Sequence, residues 1–243
     1  MNSPRKFALV TGVLFIITFI ASIPAAFVFY APVLDDPNYI VGAAGADTLV
    51  SLGALLEFIV VIANIGTAVV LFPIVKRQNE AVALGYVTSR VLESAIIMVG
   101  VFSLLTVVSL RSGFDPATPL QYLAGPAGAD AALLVAAGKS LVAVHDWTFL
   151  LGPGLMPGVN GVLLGYLMYS SRLVPQPLAV LGLVGGPLLF ASGIAVLFGV
   201  IEVGSVWQGI STLPVAAFEV LLGIWLIVKG FNPSAPLLRG SAT

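Results

Sequence analysis

The sequence predicts an all-α polytopic membrane bundle of six spanning helices, with both termini in the cytoplasm. Three observations predict it. Of 243 residues, 59% are hydrophobic and only 9% are charged, against roughly 25% charged in a soluble domain, and the mean hydropathy is +1.10. The apolar residues gather into runs of the length that crosses a bilayer, about 20 residues each. The Lys and Arg residues between those runs collect on one side.

The first run is Phe7 to Tyr30. Its basic start (Arg5, Lys6) and the small residues of ASIPAAF also suit a cleaved leader. The apolar run continues past that point to Tyr30, longer than a usual leader core, so a spanning helix is expected. The second run is about Leu49 to Val75 and the third about Ala83 to Leu110. The fourth is about Trp147 to Ser170, the fifth about Leu178 to Ile201 and the sixth about Gly209 to Val228.

With six spans, Arg5, Lys6, Lys76, Arg77, Arg172, Lys229 and Arg239 share one side. The other side has Arg111 and Lys139 together with Asp35, Asp36, Asp47, Asp115, Asp130 and Glu202. Cytoplasmic loops carry the Lys/Arg excess, so the termini are expected inside. The longest connection, Arg111 to Asp146, starts with the turn-forming RSGFDPATP and AGPAGAD. Its remainder, DAALLVAAGKSLVAVHDW, reads as a short helix lying on or dipping into the outer interface. A re-entrant or seventh segment is the rival reading, and a seventh full span would place Arg172 outside. All 243 residues are expected to form one integral membrane domain.

Ionisable residues interrupt these apolar runs. LGYVTSRVLESAIIMVG (84–100) carries Arg90 and Glu93. At 1.5 Å per residue, Glu93 and Glu219 fall about 15 Å deep, near the midplane, and Glu57 about 12 Å below the outer face. Asn64 and Asn160 lie at comparable depth. Helical spacing sets Gly53, Glu57, Val61, Asn64 and Ala68 on one stripe, Gly85, Ser89, Glu93 and Gly100 on a second, and Thr212, Ala216, Glu219 and Gly223 on a third. Small residues mark helix–helix contacts in lipid, so the carboxyls should point inward, away from a bilayer where a lone charge costs at least ~2.5–3.5 kcal/mol. If all four charged groups meet in one cavity, a single arginine faces three acids. At least one of the three is then expected to carry a proton at neutral pH. Arg90 and Glu93, at i and i+3, can also neutralise each other and simply lock the helices together.

HDWTFLLGPGLMPGVN (145–160) is the second unusual stretch. His145 and Asp146 are expected at the outer mouth of the fourth span, with Trp147 at headgroup level. His145 suits an interfacial partner of Asp146, a proton-exchanging group at the entrance, or a lone metal ligand. Pro153 and Pro157, with Gly152, Gly154 and Gly158, should kink or unwind the outer half of that helix. Such backbone is tolerated where it is buried in protein or lines a watery cavity.

Several chemistries are excluded. There is no cysteine and one histidine, which removes thiolate chemistry, disulfides, multi-histidine metal sites and bis-histidine haem within one chain. AGKS (137–140) imitates the end of a phosphate loop, but Leu133 stands where the leading glycine belongs. No GxSG or HExxH occurs. The net charge of −1 offers no field for nucleic acid. No cofactor and no metal are expected.

LGYVTSRVLESAIIMVG, HDWTFLLGPGLMPGVNGVLLGYLMY, SRLVPQPLAVLGLVGGPL and GIWLIVKGFNPS together resemble a bacterial family of multi-pass membrane proteins, domain of unknown function 4386. The resemblance runs from about residue 5 to 235. The family's Arg–Glu pair is matched by Arg90 and Glu93, and its His-Asp-Trp run by His145, Asp146 and Trp147. It implies an integral membrane protein of the bacterial cell envelope and no particular reaction, and the expected location is the bacterial cytoplasmic membrane. The residues point to a polar cavity between spans two, three, four and six that binds, senses or carries a small molecule or lipid with proton linkage. The candidate residues are Glu57, Asn64, Arg90, Glu93, His145, Asp146, Asn160 and Glu219. In that reading Arg90 holds an anionic group or fixes the carboxylates. A structural clamp and a lipid-modifying enzyme are the two alternatives.

Overall fold

The computed structural model describes residues 3–41, 46–111 and 131–239, and their regular structure is helical throughout. The 112–130 part of the long connection, with Asp115, Asp130 and the RSGFDPATP turn beyond Arg111, lies outside the described residues. The helices are α1 (Ser3–Pro24), α2 (Ala31–Leu34), α3 (Asp47–Val75), α4 (Glu80–Arg111), α5 (Ala131–Leu151), α6 (Met156–Ser171), α7 (Gln176–Leu197), α8 (Val206–Val228) and α9 (Pro236–Arg239). Six stretches are long and apolar enough to cross a membrane, α5 and α6 together making the fourth.

The six spans close into a ring. α1 packs on α3, α3 on α4, α4 on α6, α6 on α7, α7 on α8, and α8 returns to α1, while α5 lies against α4. The start of α1 and the end of α8 are on one side of the ring, tied by Arg5. Its guanidinium donates to the carbonyls of Leu226 (2.8 Å) and Ile227 (2.5 Å) at the end of α8, where unpaired carbonyls favour a cation. The opposite side, where Leu34, Asp47, Arg111 and Ala131 lie, is called the loop side below.

Proline shapes two of the spans. Pro24 has no N–H to give the preceding turn, and the chain widens into a π turn at Ala25–Phe29, closed by Tyr30 N–H on the Ala25 carbonyl at 3.1 Å. The wider turn brings Tyr30 fully inside the bundle. In the fourth span the helix breaks at 152–155, as the Pro and Gly cluster there leads one to expect.

The start of that span differs from expectation. The separate short helix ending at Asp146 is absent: α5 runs unbroken through His145, Asp146 and Trp147. Between Ala131 and Leu151 there is no proline and one glycine, so nothing interrupts the hydrogen-bond ladder before the break. α5 and α6 together cover the 40 residues Ala132–Ser171, which would reach about 60 Å if straight, twice the hydrocarbon thickness. α7 stops at Leu197 rather than Ile201, because Gly199 turns the chain at φ 68°.

Glycines set the tightest contact. α6 and α7 meet backbone to backbone, and a Cβ on Gly186 would stand 2.5 Å from the Gly158 carbonyl oxygen. Lipid supplies no hydrophobic drive between helices, so close backbone approach carries the packing. On the loop side, Arg111 forms an ion pair with Asp47, which also accepts from Tyr39 Oη at 2.6 Å. The Arg111 guanidinium lies 4.5 Å from the Tyr39 ring centre. This cluster joins the end of α4 to the start of α3.

Two outcomes are expected. Gly186→Ala lowers the stability of the detergent-solubilised protein by about 1–3 kcal/mol through overpacking. Gly209→Ala, whose Cβ meets nothing within 4 Å, is neutral or stabilising by up to about 1 kcal/mol, and thermal unfolding checks both. The Tyr39 phenol is pushed up from 10.0 to about 12, first by burial and then by its hydrogen bond to Asp47 and that carboxylate's charge. A raised folded-state pKa stabilises fully below the unfolded value. The contribution of Tyr39 is therefore complete below pH 10 and is lost as pH rises through 12. Ultraviolet titration of wild type against Tyr39→Phe reads it.

Candidate functional site

Arg90 sits in the middle of α4 and is 2% exposed. Its Nε donates to Tyr86 Oη at 3.2 Å, one helical turn earlier. Nη1 donates to Asn64 Oδ1 on α3 (3.3 Å) and to Glu93 Oε2 on its own helix (3.1 Å). Nη2 donates to Glu219 Oε1 on α8 at 2.5 Å. Asn160 on α6 completes the network, its Nδ2 donating to Glu93 Oε2 at 2.6 Å. One guanidinium thus connects α3, α4 and α8, and α6 through Glu93. Its plane also lies 5.6 Å from the Phe15 ring centre, which brings α1 against it.

The inward stripes of α3 and α4 are buried at Gly53, Glu57, Val61, Asn64, Ala68, Ser89, Glu93 and Gly100. On α8 the stripe is buried at Glu219 and Gly223, whereas Thr212 is exposed. Of the eight candidate residues, Asn64, Arg90, Glu93, Asn160 and Glu219 form the connected network. Glu57 does not bond to Arg90. It lies toward the loop side and accepts from Tyr30 Oη at 3.1 Å. Gly53, one turn before it, leaves the space that the Tyr30 ring occupies: a Cβ there would stand 2.7 Å from the ring.

His145 is a correction to the expected outer mouth. It is buried, with its ring edge-on to Tyr30 (5.6 Å between centres) and stacked near Phe149 (6.0 Å). Its Nδ1 is 3.6 Å from Asp146 Oδ1, beyond hydrogen-bond reach, while the Asp146 side chain is 65% exposed. The unbroken course of α5 rotates His145 inward and Asp146 outward. Gly100 lets α5 approach, since a Cβ there would meet Thr148 Oγ1 at 2.5 Å.

Beside the network is a cavity of about 190 Å³, lined by Glu57, Asn64, Arg90, Glu93 and Glu219. Pro153 and Pro157 of the broken helix contribute to its wall, as do Thr18, Ser22 and Phe27 of the first span. The first span was not among the helices expected to line it. A much smaller void continues from Glu57 to His145 and Thr148. Among the described residues no three His, Asp or Glu side chains converge as a metal site.

Tyr30 and Tyr86 are the members that sequence reasoning missed. Tyr86 stands four residues before Arg90, a spacing that places both on one helix face, so a signal existed. Tyr30 depends on the π turn, and nothing in the residue pattern announces that.

Six apolar spans around a buried charged network define an integral, multi-pass membrane protein. The family model described as Domain of unknown function (DUF4386) matches residues 10–230, and the chain belongs to that family. Comparison with curated proteins and with solved structures finds no match.

The engagement of four Arg90 N–H groups has a measurable consequence. Lysine has three donors where the guanidinium now meets four acceptors. Arg90→Lys should therefore leave at least one buried acceptor unmet and cost about 1–3 kcal/mol despite retaining the charge. Thermal unfolding in one detergent, with helicity checked by circular dichroism, tests it.

Proposed function

We propose that this protein binds a small molecule or lipid in the midplane cavity, with a proton exchanged at its carboxyl groups, as a carrier or sensor of the bacterial cytoplasmic membrane. One observation carries the reading. Glu57 is buried at the cavity wall and accepts from the Tyr30 phenol without an ion-pair partner among the described residues, while Glu93 and Glu219 are each ion-paired to Arg90. A buried carboxyl built only for packing would be expected to have a charged partner, as Glu93 and Glu219 do. Intramembrane acids of this kind mark substrate and proton pathways. The small void between Glu57 and His145 supports a proton path toward the loop side. In this reading the Lys/Arg-rich terminal side faces the cytoplasm.

A second reading is a structural clamp, and the Arg90 network itself favours it. Four donors and two buried ion pairs bind three spans without any ligand. The two readings separate at Glu57, which the clamp does not use.

Native mass spectrometry of gently extracted protein discriminates them. Wild type should retain a bound small molecule or lipid that Glu57→Gln loses, with both variants melting within a few degrees of each other. Affinity for that molecule should change with pH in wild type and become flatter in Glu57→Gln. The groups facing Glu57 and able to contribute are Tyr30, Arg90, Glu93, His145 and Glu219. An empty wild-type cavity would favour the clamp.

A further inference from the structure

We infer that the midplane cavity takes a cationic amphiphile, an amine or quaternary ammonium headgroup on an apolar chain, which enters sideways from the bilayer between α1 and α8 with Glu57 facing the cation. This rests on the binding reading above and names its ligand class and route.

The route follows from how α1 and α8 cross. They touch where a Cβ on Gly12 would stand 2.6 Å from the Gly223 carbonyl oxygen. Toward the loop side the cavity occupies the space between them. Thr18, Ser22 and Phe27 line it from the first span, and Thr212, Ala216 and Glu219 from α8. Helical rise places Phe27 about 22 Å beyond the Gly12 contact, and Thr212 about 16 Å beyond Gly223. Phe27 is 75% exposed and Thr212 is also exposed, so these lining residues reach the surface that faces lipid. The gap therefore runs from the buried charges to the bilayer, and an amphiphile can arrive without crossing an aqueous vestibule.

The ligand's charge follows from the donors. Arg90 has five N–H groups, and four are already engaged with Tyr86, Asn64, Glu93 and Glu219. An anionic headgroup would find a nearly saturated guanidinium and three carboxyls. This argues against Arg90 as the receiver of an anion and favours its role in fixing the carboxylates. A cation finds the reverse: Glu57 with unused lone pairs, Glu219 and Glu93 nearby, and the rings of Phe19, Phe27 and Phe149 in the same lining. Acids combined with aromatic faces recognise ammonium groups. The volume of about 190 Å³ is that of about six waters. It accommodates a headgroup and the first carbons, so the chain must extend through the gap into the bilayer.

The test uses the full chain in dodecyl maltoside and two probes of equal chain length, dodecyltrimethylammonium and dodecyl sulfate, below their micellar concentrations. Native mass spectrometry reads the adducts. The expected result is a one-to-one ammonium adduct, at least tenfold weaker in Glu57→Gln, with no sulfate adduct of comparable strength. Thr212→Trp, which fills the gap without touching a charge, should weaken the ammonium adduct. Val91→Trp, on the lipid-facing surface of α4, should leave it unchanged. If Glu57→Gln does not fold, Thr212→Trp against Val91→Trp decides the route, and the ammonium-to-sulfate ratio on wild type decides the charge. Sulfate binding as tight as ammonium, or an ammonium adduct indifferent to Thr212→Trp, would overturn this inference while leaving the binding reading in place. Retention of neither probe, in a wild type that also carries no co-purified molecule, would overturn both.

Discussion

The bundle is organised around one guanidinium that cannot move. Arg90 is buried at mid-membrane depth, where an unpaired charge is costly by several kcal/mol. Its donors are consumed by residues from three spans. Rotating α3 or α8 about its axis would take Asn64 or Glu219 away and leave a buried charge short of partners. Register in this bundle is therefore set by polar geometry. The glycine contacts fix how closely the helices approach, and the rest of the apolar surface adds little preference, since lipid is as apolar as the side chains that face it.

Other features follow from that constraint. Four helices have to approach closely enough for side chains of moderate length to meet. Glycines permit close approach around them, where α6 meets α7, where α1 meets α8, and where α4 receives α5. The π turn after Pro24 brings Tyr30 to Glu57, which among the described residues is the buried glutamate that Arg90 does not reach. The result separates two kinds of acid. Glu93 and Glu219 are fixed as partners of Arg90, and Glu57 is held by a single phenol at the wall of a cavity. A packing network and a cavity thus lie side by side and divide the carboxyls between them.

Much of this was legible in the residues. Six apolar runs, the inward stripes of α3 and α4, and the break at the Pro and Gly cluster follow from length, periodicity and the missing proline donors. The pairing of Arg90 with Glu93 follows from i,i+3 spacing. What was not legible depends on rotations between helices. Nothing local says that Glu219 reaches Arg90 and Glu57 does not, because both sit on inward faces at comparable depth. His145 was misplaced for a related reason: the helix start was expected at Trp147, and a helix that begins at Ala131 turns the imidazole inward. The role of the first span was hidden because it contributes Thr, Ser, Ala and Phe, which look like ordinary lipid-facing and packing residues.

The most direct test of the account is a double-mutant cycle between Arg90 and Glu219, the longest-range contact in the network. Wild type, Arg90→Met, Glu219→Gln and the double variant would be unfolded in the same detergent and their stabilities compared. Breaking one partner of a buried pair costs about 3–5 kcal/mol, whereas replacing both is far milder. A coupling of at least about 1.5 kcal/mol is expected, with the double variant more stable than Arg90→Met alone. Strictly additive losses, with coupling under about 0.5 kcal/mol, would contradict it, because the register of α4 and α8 would then rest on something other than this arginine.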